Sequence, residues 1–96
     1  MTPVDVKLHV SREKWIQNLY VFLTTEIDLG ITFSRLAKHY LERGEAERFQ
    51  TSKQNAVMAL ESIDHFRHRL PADLKTEIDC GRQQLAAGIS ELSSGT

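Results

Sequence analysis

The chain has 96 residues, enough for one domain and too few for a multidomain enzyme, a doubly wound sheet or a large barrel. Hydrophobic residues make up 41% and charged residues 26%, the balance of an ordinary folded domain. Twelve Lys and Arg against thirteen Asp and Glu give a formal charge of −1, from which no strong electrostatic attraction to nucleic acid or to an anionic membrane follows.

The N-terminal segment alternates. Val4, Val6, Leu8 and Val10 are separated by Asp5, Lys7 and His9, a period of two with β-branched enrichment. The pattern predicts a short strand or an extended arm over residues 3–10. A lone strand leaves backbone groups unpaired, so it must pair with another chain or lie along helices.

Ser11 is a good N-cap, and the period then becomes helical. Trp15, Leu19, Phe22, Leu29, Phe33, Leu36 and Tyr40 step by three and four, widened by Ile16, Leu23 and Ala37. The register passes Gly30 without slipping, which predicts one helix over residues 12–43 closed by Gly44. Glu26 takes the one polar step and is a candidate buried polar position. A carboxylate facing a core must be paired or held neutral, which reads as a specificity-setting polar group or ligand contact; the other reading is a partly exposed residue near the end of the bundle that reaches Arg67 or Arg69. Tyr20, Ile27, Ile31 and Leu41 form a second apolar line, open to two readings: internal packing on both faces of a central helix, or contact with another chain.

Phe49, Ser52, Ala56, Ala59, Ile63, Phe66 and Leu70 keep one register and predict a second helix over residues 45–69, ended by Pro71. Leu74, Ile78, Leu85, Ile89 and Leu92 predict a third over residues 72–92, with Gly81 and Gly88 in its stripe where a neighbouring helix approaches closely. Short loops make successive helices antiparallel neighbours. The expected fold is all-α, an up-down-up three-helix bundle in a single domain spanning residues 1–96, with the N-terminal arm attached.

Groups able to carry chemistry are sparse. Cys80 is the one cysteine, so no internal disulfide forms. No nucleophile motif, phosphate-cradling glycine loop or carboxylate pair is visible, and the expectation is a protein that is not an enzyme and uses no cofactor. Glu61, His65 and His68 fall at i, i+4 and i+7, and Glu26 from an antiparallel neighbour would complete a conceivable ligand set. Helical phase turns Glu61 and His68 away from the apolar stripe, so no metal site is expected. The chain shows no leader pattern and no apolar run near the roughly 20 residues that span a bilayer, which points to a cytoplasmic protein with no membrane partner.

Two family likenesses attach to these residues. Leu29-Gly30-Ile31-Thr32-Phe33, Leu36-Ala37, Tyr40 and Gly44, followed by Ala56, Ala59-Leu60, Phe66 and Pro71, resemble one tetratricopeptide repeat over about 40 residues. That resemblance implies a helical hairpin of the protein-binding kind and no catalysis. The alternating N-terminus, the helix after it and Gly30-Ile31-Thr32-Phe33-Ser34-Arg35-Leu36 resemble a ribbon-helix-helix DNA-binding protein. That resemblance implies a dimer whose paired strands enter the major groove through Asp5, Lys7 and His9. Residues 1–43 hold six Lys and Arg against five acids, a charge of only +1, so nucleic acid ranks as the alternative partner.

The leading expectation is a protein–protein interaction module that self-associates as a homodimer. A first helix longer than its neighbours leaves its early turns overhanging the bundle. The candidate partner contacts are Val4, Val6, Leu8, Trp15, Leu19, Tyr20, Phe22, Leu23 and Ile27.

Overall fold

The structure, a computed structural model, describes the backbone of residues 3–94 and the side chains of residues 12–93. Three helices run up, down and up: α1 (Pro3–Glu42), α2 (Ala46–Phe66) and α3 (Ala72–Ser94), with a 3-10 turn at Arg67–Arg69 closing α2. No strand occurs among the described residues. At about 1.5 Å per residue the 40 residues of α1 span about 60 Å, which sets the 63 Å long dimension of the molecule.

The expected strand or arm at 3–10 is therefore corrected. These residues form the first turns of α1. The physical reason lies in the backbone. An isolated strand leaves every N–H and C=O unpaired, whereas extending a helix that already exists adds one internal bond per residue without a new nucleation cost. Pro3 suits the first helical position because the N–H it lacks would have no intrahelical acceptor. The side chains of Val4, Val6 and Leu8 lie outside the described residues.

Two corners place the helices. Gly44 sits at φ 73°. Its N–H donates to the Leu41 carbonyl at 3.1 Å and the Glu45 N–H donates to the Tyr40 carbonyl at 2.9 Å, which is the pairing of a Schellman stop. At the second corner Leu70 is extended, as a residue before proline prefers, and the Pro71 carbonyl accepts the Lys75 N–H at 2.9 Å. Leu70 itself turns inward and is buried.

The core runs along α1, which packs against both other helices while α2 and α3 touch each other less. Leu19, Leu23, Ile27, Ala56, Ala59, Ile63, Leu70, Ile78 and Leu85 form the main cluster. Ala37, Phe49 and Leu92 close the far end. The helices come close where they carry glycine. A Cβ placed on Gly30 would stand 2.6 Å from a Leu85 methyl and 3.1 Å from the Ala59 Cβ. One on Gly81 would stand 2.8 Å from an Ile27 methyl. Gly30 thus lets α2 and α3 both approach α1, and the helix continues through it unbroken.

Polar contacts tie α2 to α3 near the second corner. Arg82 holds Asp64 with two hydrogen bonds, the one from Nη2 to Oδ2 being 2.9 Å long. Arg67 bonds Asp79 and also approaches Asp64 at 3.6 Å. The hydrogen bond from Arg82 is the main cause that holds the Asp64 carboxyl below the usual carboxylate range.

Candidate interaction surface

α1 carries two parallel lines of side chains. Leu19, Leu23, Ile27, Gly30, Ser34 and Ala37 step by three and four and are all buried. The second half of that line is built from small residues because α2 and α3 lie against it. Ser34 fits there by donating its hydroxyl to the Ile31 carbonyl at 2.8 Å, so its burial leaves no orphaned oxygen.

The neighbouring line, Trp15, Phe22, Leu29 and Leu36, recurs every seventh residue and faces water. These four side chains are 47%, 40%, 46% and 37% exposed, where Leu23 is fully buried. A seven-residue spacing drifts by only about 20° per repeat on a straight helix, so the four stay on one side of α1 over roughly 30 Å. Phe33 and Tyr40 border the line and are half-buried. One flank of α2 borders it too. Phe22 meets Phe66 edge-on with ring centroids 5.8 Å apart, and the Arg48 guanidinium lies 5.8 Å from the Tyr40 ring centre.

This geometry reorders the expected contacts. Leu19, Leu23 and Ile27 belong to the interior of their own chain and have no surface to offer a partner. Tyr20 is half-buried against α3, where its hydroxyl donates to Glu77 at 2.9 Å; that hydrogen bond raises the hydroxyl above the ordinary tyrosine range. Trp15 and Phe22 remain on the surface, joined by Leu29 and Leu36, which the apolar periodicity places in the core. Glu26 is half-buried beside the exposed line, not inside the core. Its suggested partners are engaged elsewhere, Arg67 with Asp64 and Asp79, and Arg69 over the Phe66 ring at 5.4 Å.

The second apolar line of α1 is internal where it meets α3. Ile27 is buried, and Ile31 and Leu41 border an open cleft of about 880 Å³ between α1 and α3. Arg35 and Lys38 stand on the α1 wall of that cleft, opposite Glu91 on α3. Glu61, His65 and His68 are exposed, and no group of three metal-ligating side chains converges among the described residues. Cys80 is exposed and free. No described helix is long and apolar enough to cross a membrane.

No family model matches the chain, and neither does any curated protein or solved structure.

Proposed function

We propose that the protein is a helix-mediated protein–protein interaction module that associates with itself through α1. The carrying observation is the exposed line of Trp15, Phe22, Leu29 and Leu36. Scattered exposed apolar residues are normal on a protein surface, but a regular row on one helix side is the arrangement that receives another helix. Among the described residues, four of the six exposed large hydrophobic side chains fall on it, so their apolar surface is concentrated in one place. Taking each of these half-exposed side chains out of water contributes on the order of 1 kcal/mol. The α1–α2 helical hairpin has the local architecture that the tetratricopeptide likeness implies. The alternative, a ribbon-helix-helix DNA-binding dimer, needs a paired strand at 4–10, where the backbone is helical.

Light scattering on two variants tests the proposal. Leu29→Glu places a charge in the middle of the row and should leave a monomer that keeps its helical circular dichroism. Met58→Glu changes an exposed apolar residue of α2 outside the row and should leave the mass unchanged. A Leu29→Glu protein with the same mass as the parent contradicts the proposed surface.

A further inference from the structure

The direction in which two copies meet is written into α1, given the self-association proposed above. Among the described side chains of α1, Ile16 is the first that the bundle covers. Ile16 packs on the core cluster and Tyr20 reaches Glu77, whereas Arg12, Glu13, Lys14 and Trp15 are all exposed. The 40 residues of α1 span about 60 Å against about 32 Å for the 21 of α2 and about 35 Å for the 23 of α3, so the backbone of its first turns, 3–15, extends past both. An isolated helical segment of that length is marginal in water and is stabilised by something laid against it. The uncovered part of the row, from Phe22 to Leu36, spans a similar length.

The geometry points to an antiparallel dimer in which the projecting first turns of each α1 lie along the exposed row of the other. The occupant of the row is a second copy of this chain, and the two-fold axis passes between the two α1 helices at the level of Leu19 and Tyr20. Residues 3–15 of one copy then run beside residues 24–36 of the other. The seven-residue register of the row extends back through the sequence to Leu8, inside the projecting segment.

Charge selects this direction over the parallel one. The register line next to the row reads Arg12, Leu19, Glu26, Phe33 and Tyr40. Arg12 and Glu26 make no ion pair among the described residues. In a parallel, in-register pair the two copies of this flanking line lie on opposite sides of the apolar seam, so Arg12 and Glu26 of one copy do not meet those of the other. In the antiparallel pair Arg12 of each copy comes within a helical turn of Glu26 of the other, making two symmetric opposite-charge contacts. Glu26 is therefore the polar step that sets orientation, the role a single polar residue plays in other helical seams.

The test is a charge swap read by sedimentation equilibrium on the full chain, with circular dichroism confirming unchanged helicity. Arg12→Glu and Glu26→Arg should each weaken dimerisation about tenfold or more, since each places like charges together at both contacts. The double variant Arg12→Glu with Glu26→Arg should return the dissociation constant to within about threefold of the parent, because it restores both opposite-charge contacts. A dimer indifferent to all three changes overturns the antiparallel register while the self-association reading stands. Single variants that weaken the dimer with no recovery in the double also overturn it. A parent chain that is monomeric overturns the self-association reading itself.

Discussion

Gly30 shows how one residue sets the spacing of all three helices. Glycine in a helix interior costs about 1 kcal/mol relative to alanine. Here the missing Cβ is what lets Leu85 of α3 and Ala59 of α2 close on α1 together. Leu85 is fully buried, so moving it disturbs the core. Gly30→Val should therefore destabilise the fold by roughly 1–3 kcal/mol despite its better helix propensity, a loss that thermal or urea unfolding reads directly. Asp64 makes a prediction of a different kind. Its carboxyl is held below the usual range by Arg82, so the folded state binds fewer protons there than the unfolded state does. Its stabilising contribution is complete above the unfolded carboxylate value of about 4 and is lost as pH falls through the lower folded value. Asp64→Asn should flatten the acid limb of the stability profile and leave the shape of the profile above pH 5 unchanged, as urea midpoints taken from pH 3 to 7 would show. The carboxylate is well exposed to solvent, so the effect should shrink in high salt.

At the scale of the element, α1 explains what could be read in the sequence and what could not. The second and third helices, the stop at Gly44, the corner at Pro71 and the close contacts of Gly81 and Gly88 follow from periodicity and turn chemistry, and the structure has each of them. The face of α1 was legible only in part. Hydrophobic periodicity follows large side chains, and the large ones step through Trp15, Phe22, Leu29 and Leu36. The buried line ends in Gly30, Ser34 and Ala37, which carry almost no hydrophobic signal because they are small where two helices press in. Their spacing beside the large residues is the clue available in the sequence: small residues mark the crowded side, and the bulky ones next to them are displaced outward. The first turns of α1 misled for another reason, since the alternation of Val4, Val6, Leu8 and Val10 matches a strand but has no partner strand in the chain. The turn at Gly44 gives a direct check on this element. Gly44→Ala meets no neighbouring atom within 4 Å but keeps a left-handed backbone, so it should cost about 1 kcal/mol through conformation alone. A denaturant midpoint equal to that of the parent would contradict the Schellman stop.

The whole molecule is a rod 63 Å long built on one helix, with two shorter helices covering one side of part of its length. A chain this small buries a modest fraction of its surface, and oligomerisation is a common route to added stability. Among the described residues of α1 the row of Trp15, Phe22, Leu29 and Leu36 is left exposed, and the antiparallel second copy proposed above would cover it. If so, apparent stability depends on protein concentration, and the thermal midpoint should rise as concentration rises. The most direct measurement is sedimentation equilibrium of the unmodified chain across the micromolar range. Self-association through α1 predicts a mass that climbs to twice 11.0 kDa, and a mass that stays at 11.0 kDa throughout would contradict it.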